Sequence, residues 1–355
     1  MKIVITSPSL DERENVSGIS TIVRQIIEHG SDNFVHFRAG RQDGEPAGMR
    51  WMVRQAILPV KFYLMLRKVK PDLVHINTAL TDLSIWRDAA LTKAASFAGV
   101  PVLLAVHGGK FLLNEIEDGR LKAAAGSMLN AARSVVVYSE GERRQLESRW
   151  KSLEIRILAN AVPLRQDSAN KTDNPAPILI FLGRLHRSKG LAELTKACRA
   201  LKNDGFVFRL HCFGDGPMKD EFAAEMEDIL GDGFYFGGVV SGTPKLEELD
   251  RADIFVLPSI YGEGLPMAIL EAMSAGCVVI ASEMASVAEV IRDGSNGYLI
   301  EPGNTPQLIS RLKLVLGSRS DWKPIQEAAK RTVRERFAIT RYIENLETIY
   351  RSIVT

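Results

Sequence analysis

The chain has 355 residues, of which 46% are hydrophobic and 25% charged, and its net charge is +2. These values are typical of a globular protein of about two domains, and they exclude a disordered chain, a collagen-like chain and a coiled coil. The small net charge indicates no nucleic-acid partner. The three cysteines, Cys198, Cys212 and Cys277, are too widely spaced for a disulfide framework or a cysteine zinc site.

The N-terminus carries no recognisable secretory signal, because the apolar run Ile3–Ile5 is short and acidic residues follow from Asp11 onward. The longest strongly apolar stretch, Val100–Val106, is much shorter than a membrane-spanning helix. The cysteine usage fits a reducing compartment. We therefore expect a cytoplasmic protein that is at most peripheral on the inner face of the plasma membrane.

Short β-branched segments alternate with longer helical segments through the first half of the chain. A helix is predicted over Ile19–His29, where apolar residues recur at helical spacing. This alternation indicates a parallel sheet with helices on both faces. The predicted strands are Lys2–Thr6, Leu73–Ile76, Val102–Val106, Val135–Tyr138 and Ile155–Leu158.

The polar segment Gln166–Pro177 has no periodicity and predicts a linker. We expect an α/β protein with two doubly wound, Rossmann-like domains, 1–165 and 166–338, that face each other across a ligand cleft. A final helix in 339–355 is expected to pack back toward the first domain. The strands predicted after the linker are Ile178–Leu182, Phe206–Phe213, Phe234–Phe236, Ile254–Leu257 and Val278–Ala281.

The strongest chemical motif lies between Ala252 and Ser282. A strand runs into a loop that contains Glu263, and Pro266 suits the first turn of the following helix, which carries Glu271. A helix N-terminus offers free backbone N–H groups to a phosphate, and carboxylates accept hydrogen bonds from sugar hydroxyls. The motif predicts a site for a phosphorylated sugar, and two glutamates on an ordinary surface helix are the alternative.

A second motif, Ile178–Gly190, places Arg184 directly after a buried strand and Lys189 before a helix. The two bases can neutralise a diphosphate without a metal ion, because a guanidinium matches phosphate geometry and an ammonium adds a compact charge. Two solvated bases are the alternative. No D-x-D triplet occurs, so we expect no carboxylate cluster for a nucleotide-bound divalent ion and no metal site.

In the first half, the strand Val102–Val106 runs into His107, Gly108 and Gly109. Ligands of doubly wound sheets bind at such strand ends, at the point where the strand order reverses. His107 is therefore a candidate site residue. A histidine that only completes a tight turn is the alternative.

The segments Phe181–Gly190, Phe213–Pro217 and Glu263–Glu271 together resemble the retaining glycosyltransferases of family 4, which have the GT-B fold. The similarity continues through Val290–Pro302 and Asn160–Pro163, and it is looser in the first half. In this family the first domain binds the acceptor and the second binds the nucleotide sugar.

The resemblance implies a role for each matching position. Arg184 and Lys189 would bind the donor diphosphate, Glu263 the sugar hydroxyls and Glu271 the nucleotide ribose. His107 would face the donor sugar, either by donating a hydrogen bond or by turning its carbonyl toward the developing positive charge. These residues apart from Glu271 are the expected catalytic set. The other expected donor-binding residues are Gly18, Gly238, Val239, Gly264, Leu265 and Pro266, with Ser17 standing where the family usually has a second glycine.

The resemblance implies a metal-independent hexosyltransferase that needs no cofactor. It would move a sugar with retention from a UDP- or GDP-sugar to a saccharide or lipid-linked saccharide, in cell-surface polysaccharide or glycolipid synthesis. A nucleotide-sugar epimerase or a phosphorylase on the same scaffold is an alternative. A non-catalytic subunit that binds nucleotide sugars is another, since fold alone does not fix function.

The segment Arg50–Lys70 contains six basic residues and no acidic residue, interleaved with apolar side chains. This composition fits an amphipathic segment that lies on an anionic membrane. A helix packed on the core with a solvated basic edge is the alternative.

Overall fold

The computed structural model describes residues 1–15, 17–40, 48–165, 174–261 and 264–355. Within these ranges the chain forms two compact units. Unit 1 comprises residues 1–160 and 339–355, and unit 2 comprises residues 161–338. Residues 166–173 of the predicted linker, and the candidate residue Glu263, lie outside the described residues.

Unit 1 contains a six-stranded parallel sheet with the order β2-β1-β3-β4-β5-β6. Its strands are β1 (Lys2–Ser7), β2 (Asn33–Arg38), β3 (Leu73–Thr78), β4 (Val102–Val106), β5 (Ser134–Val137) and β6 (Ile155–Ile157). Its helices are α1 (Gly18–His29), α2 (Met49–Val69), α3 (Asp82–Ala98), α4 (Lys110–Leu113), α5 (Gly119–Ala131), α6 (Glu140–Arg149) and α14 (Ile339–Val354).

The strand order of unit 1 reverses between β1 and β3. The chain leaves β1 toward β2 on one side and returns from β2 to β3 on the other. Strands β3 and β4 are buried along their whole length, as expected for a parallel sheet covered on both faces. Doubly wound sheets bind ligands at the carboxyl ends of the strands that flank such a reversal, here β1 and β3.

Unit 2 contains a second six-stranded parallel sheet, with the order β12-β11-β10-β7-β8-β9 and its reversal between β7 and β10. Its strands are β7 (Ile178–Leu182), β8 (Arg209–Phe213), β9 (Phe234–Gly238), β10 (Ile254–Leu257), β11 (Val278–Ser282) and β12 (Tyr298–Ile300). Its helices are α7 (Leu191–Asn203), α8 (Lys219–Leu230), α9 (Gly242–Arg251), α10 (Met267–Ser274), α11 (Ala285–Ala288), α12 (Thr305–Gly317) and α13 (Trp322–Arg336).

The last helix, α14, belongs to unit 1, although all of unit 2 precedes it in the sequence. It contacts α1 and β3, and its Tyr350 is completely buried. The Tyr350 hydroxyl lies 2.7 Å from Nδ1 of His75 on β3. The core of unit 1 is therefore completed by the C-terminal segment.

Candidate active site

Loops at the carboxyl edge of the unit 2 sheet lie side by side. The amide of Gly183 donates to the carbonyl of Phe213 at 3.1 Å, and the amide of Gly214 donates to the carbonyl of Gly238 at 2.7 Å. Gly214 has a φ of +141°, and a Cβ there would lie 1.9 Å from the carbonyl oxygen of Gly183. The glycine therefore permits the close approach that brings the ends of β7, β8 and β9 together.

A short turn after β7 carries Lys189 of the second motif and follows Arg184 by three residues. Residues Arg187–Lys189 form one turn of 3₁₀-helix, and Gly190 follows with a φ of +71°. A Cβ on Gly190 would lie 1.9 Å from the carbonyl oxygen of Pro258, directly after β10. The amide of Ile260 also donates to the carbonyl of Ser188 at 2.8 Å. The turn is therefore held against the loop after β10, across the point where the strand order reverses.

The side chains of this turn and of Arg184 before it concentrate positive charge. Arg184 is exposed and Lys189 is half-buried. Partial burial lowers the pKa of His186, and the nearby charges of Arg184, Arg187 and Lys189 lower it further. A neutral histidine among three cations leaves a net positive site that suits an anion.

Glu271 lies on α10 and is buried. Its Oε1 accepts a hydrogen bond from Nζ of Lys245, on α9, at 2.7 Å. The sequence did not single out Lys245, because a lysine on a polar helix belongs to no local motif. The ion pair holds the buried carboxylate of Glu271 in a fixed position on α10.

The remaining donor-binding candidates of unit 2 lie on two loops of the same edge. Gly238 ends β9 with a φ of +66°, and Val239 after it is 53% exposed. Pro266 is the N-cap residue of α10, so the helix begins one residue later than the sequence predicts, and Leu265 before it is buried. The described residue Gly264 precedes them in the same loop.

His107 directly follows β4 at the carboxyl edge of unit 1, and both of its ring nitrogens have protein partners. Nε2 lies 2.6 Å from Oδ1 of Asn77, and Nδ1 contacts the hydroxyl of Tyr138. Burial lowers the pKa of His107 to about 3, so the ring is neutral. The sequence did not indicate Asn77 or Tyr138, which come from the ends of β3 and β5.

Gly18 is the first residue of α1, at the carboxyl end of β1. Ser17 is the N-cap residue of that helix, and its hydroxyl accepts from the amide of Ser20 at 3.3 Å. The Ser17 hydroxyl in turn donates to Oδ1 of Asn15 at 2.6 Å. Serine at this position therefore has a defined capping role, which a second glycine would not supply.

The structure thus groups the candidates by unit. Unit 2 brings Arg184, Lys189 and Glu271 to the carboxyl edge of one sheet, with the loops of Gly238 and Gly264 beside them. Unit 1 brings Gly18 and His107 to the carboxyl edge of its own sheet.

The sequence matches two family descriptions that adjoin each other. Residues 22–166 match "Glycosyltransferase Family 4", and residues 165–332 match "Glycosyl transferases group 1". Together the two matches cover most of the chain. The chain belongs to the family 4 glycosyltransferases.

Curated relatives of this glycosyltransferase are similar over part of their length. The putative colanic acid biosynthesis glycosyltransferase WcaL of Salmonella typhimurium is 34% identical over 38% of this chain and 34% of its own length. The amylovoran biosynthesis glycosyltransferase AmsK of Erwinia amylovora is 32% identical over 45% of this chain and 40% of its own length. The matched part therefore spans between a third and two fifths of these relatives.

A solved structure extends the similarity to the whole fold. HepE from Anabaena, in complex with UDP-glucose, is 17% identical and has a TM-score of 0.78, with 99% of this chain and 100% of HepE covered. The two parallel α/β sheets of this glycosyltransferase accordingly form the GT-B fold.

The basic segment Arg50–Lys70 forms α2 and has two apolar faces. Leu58, Phe62 and Leu66 are buried against the core of unit 1. The opposite face exposes Val53, Ile57, Val60 and Leu64, a set that we call the outer stripe. Their exposed fractions run from 42% for Ile57 to 61% for Leu64. No helix in the described ranges is both long enough and apolar enough to cross a membrane.

Proposed function

We propose that this glycosyltransferase moves a hexose with retention from a nucleotide-sugar donor, a UDP- or GDP-sugar, to a saccharide or lipid-linked saccharide acceptor. The single observation that carries the proposal is the carboxyl edge of unit 2, where Arg184, Lys189 and Glu271 accompany a helix N-terminus. This combination of bases, backbone donors and a carboxylate matches a diphosphate joined to a ribose. The UDP-glucose bound to HepE supports the same donor class.

The proposed chemistry needs neither a metal ion nor a covalent intermediate on the enzyme. Arg184, Lys189 and the N-terminus of α10 stabilise the charge that develops on the leaving diphosphate. Glu271 accepts hydrogen bonds from the ribose, and Glu263 is assigned to the sugar hydroxyls by family resemblance. The acceptor hydroxyl attacks from the face that the phosphate leaves, and a phosphate oxygen takes its proton. No cofactor takes part in the proposed reaction.

We propose that the product belongs to a cell-surface polysaccharide or glycolipid. The names of WcaL and AmsK, which refer to colanic acid and amylovoran biosynthesis, support this assignment. We further propose that the protein acts in the cytoplasm and that α2 lies on an anionic membrane surface. The outer stripe and the basic residues beside it support that partner.

The first test measures the release of nucleoside diphosphate from UDP-, GDP- and ADP-sugars in EDTA, with and without a lipid-linked acceptor extract. Release from one donor that rises with acceptor supports the proposal and identifies the sugar. An absence of release from folded protein contradicts the proposal, and an assay for donor isomers then tests the epimerase. The configuration of the new linkage, read by NMR, tests retention.

Arg184→Ala and Lys189→Ala test the leaving-group assignment. Each removes one positive group beside the diphosphate, so turnover should fall on the order of 10²-fold. Arg187→Ala is the matched control, because Arg187 lies in the same turn and has no assigned contact with the donor. Full activity in both variants, or an equal loss in the control, would contradict the assignment.

A further inference from the structure

Five residues lie in a row along the carboxyl edge of unit 1, and we call them the edge row. They come from adjacent strands of the sheet or from the residues that follow them: β1, β3, β4, β5 and β6. In that order the members are Thr6, Asn77, His107, Tyr138 and Asn160.

The backbone carbonyl of Thr6 fixes the direction of the hydrogen bonds along the row. Nδ2 of Asn77 donates to the carbonyl oxygen of Thr6 at 2.8 Å, so Oδ1 of Asn77 is the atom that faces His107. A carbonyl oxygen only accepts, and Nε2 of His107 must therefore carry the proton. The backbone amide of Asn77 also donates to Oγ1 of Thr6 at 3.1 Å, which holds the asparagine in place.

The other ring nitrogen follows from the first. Because a neutral imidazole carries one proton, Nδ1 of His107 accepts from the hydroxyl of Tyr138. Burial raises the pKa of Tyr138 well above its ordinary value, so this hydroxyl stays protonated. A side-chain hydrogen bond with Asn160 lowers the pKa of Tyr138. Donation to the phenolic oxygen has this effect, because it stabilises the ionised form.

We propose that the edge row holds His107 as the Nε2–H tautomer, and that Asn77 and Tyr138 are the positioning residues that fix His107 for sugar transfer. The ring donates its one proton inside unit 1, so the sugar does not receive it. The backbone at His107 is also held, because the amide of His107 donates to the carbonyl of Thr78 at 2.7 Å. This inference rests on the proposed function and concerns how unit 1 contributes to it.

Tyr138→Phe tests the row in the assay of sugar transfer. It removes the donor to Nδ1 of His107, so the ring is free to rotate or change tautomer, and kcat should fall about 10-fold. The donor KM should change much less, because the donor diphosphate and ribose are assigned to unit 2. Tyr350→Phe is a matched control, since it removes a buried bond between a tyrosine hydroxyl and Nδ1 of His75 in the same unit. An equal loss of kcat in both variants would overturn the proposal.

Asn77→Asp provides a readout that a purely structural role would not move. A carboxylate beside Nε2 stabilises the protonated ring and should raise the pKa of His107 from about 3 toward neutrality. The other titratable groups near the row are His75 on β3, Glu142 on α6 and Tyr342 on α14, and they are unchanged in the variant. The rate of Asn77→Asp should therefore fall with decreasing pH, whereas the wild-type rate should show no ionisation of His107 above pH of about 5.

Nitrogen NMR of labelled histidine reads the tautomer without any turnover, with His107 assigned from the spectrum of His107→Gln. The proposal expects protonated Nε2 and unprotonated Nδ1 in the wild type, and a titrating ring in Asn77→Asp. A protonated Nδ1, or a wild-type ring that titrates near neutrality, would overturn it. The expected tautomer in a protein that transfers no sugar would leave the row intact and contradict the proposed function instead.

Discussion

Gly109 shows how a single residue shapes the edge of unit 1. It caps α4 with a φ of +110° and a ψ of 161°, a conformation that is essentially restricted to glycine. A Cβ there would lie 2.5 Å from the amide nitrogen of Leu80 and 2.7 Å from its carbonyl oxygen. The amide of Leu80 donates to the carbonyl of Gly108 at 2.9 Å, so the contact joins the segment after β3 to the segment after β4. The glycine therefore holds the turn that follows His107.

Gly109→Ala should destabilise unit 1 much more than Gly99→Ala. Gly99 also has a positive φ, of +73°, but a Cβ there would meet no atom within 4 Å. Gly99→Ala therefore measures the backbone term alone, about 1 kcal/mol, and the clash at Gly109 should add about 1–3 kcal/mol to it. Urea unfolding followed by circular dichroism compares the two variants. Equal losses of stability would contradict the close contact with Leu80.

At the residue scale, the sequence identifies groups that belong to motifs and misses the partners that hold them. Arg184, Lys189 and Glu271 stand at fixed distances from strands and helix starts, so local spacing finds them. Lys245 and Tyr138 reach their partners only after separate elements pack together, and no local pattern distinguishes them from ordinary side chains. The consequence for His107 is large, because its hydrogen bonds to Tyr138 and Asn77 occupy both ring nitrogens.

At the scale of elements, strand prediction succeeded where the strands are central and buried. Three predicted strands, Val102–Val106, Ile178–Leu182 and Ile254–Leu257, have the observed bounds. The sequence missed β2 and β12, and both are edge strands of their sheets. β2 is partly exposed and mixes His36 and Arg38 with apolar residues, and β12 has only three residues. Burial on both faces produces the apolar runs by which central strands are recognised. Edge position alone does not hide a strand, because β6 and β9 are also edge strands and their apolar residues predicted them.

Helix α2 combines both interpretations of the basic segment. Its inner face packs on the core, as the alternative interpretation expects, and the outer stripe remains exposed on the other face. Members of the stripe are separated by four, three and four residues, which places them on one side of a helix. The exposed bases Lys61 and Lys68 lie on the same helix. An apolar stripe bordered by positive charge is complementary to an anionic lipid surface.

Leu64→Ser and Val60→Ser should weaken binding to vesicles of phosphatidylcholine with phosphatidylglycerol about 10-fold each. Each replaces an apolar side chain that would leave water on binding, and burial of such a side chain contributes about 1.5–3 kcal/mol. Both residues are exposed in the free protein, so the fold should be retained. Flotation at low salt measures the binding, and Val207→Ser, in an exposed position of unit 2, is the control. Unchanged flotation of both stripe variants would rule out the stripe as the membrane contact.

At the scale of the whole molecule, unit 1 is built from two segments of the chain and unit 2 from one. The division falls between Asn160 and Ala161 and again between Ala338 and Ile339. Unit 2 is thus one continuous segment, whereas unit 1 needs two. The repeated alternation of strands and helices predicted the two sheets, because it is a local pattern. The sequence placed the end of the first unit at residue 165, five residues after the division in the structure at Asn160. The composition of the chain alone could not locate this boundary to the residue.

The two-part construction of unit 1 predicts unequal behaviour of the isolated segments. Residues 161–338 should unfold cooperatively on their own. Residues 1–160 should not, because removing α14 exposes its packing surface and leaves His75 without the Tyr350 hydroxyl. The seven buried residues of α14 are Ile339, Tyr342, Ile343, Leu346, Ile349, Tyr350 and Ile353. At about 1.5–3 kcal/mol for each buried side chain, their loss is comparable to the whole stability of a domain, about 5–15 kcal/mol.

Complementation makes this prediction specific to α14. A peptide of residues 339–355 added to the 1–160 segment should restore cooperative thermal unfolding, followed by circular dichroism. The same peptide with Tyr350→Asp should fail, because it would bury a carboxylate where the tyrosine packs against His75. Cooperative unfolding of residues 1–160 without the peptide would contradict the prediction and would make α14 an accessory of unit 1 rather than part of its core. Restoration by the wild-type peptide alone would show that the core of unit 1 closes only after unit 2 has been synthesised.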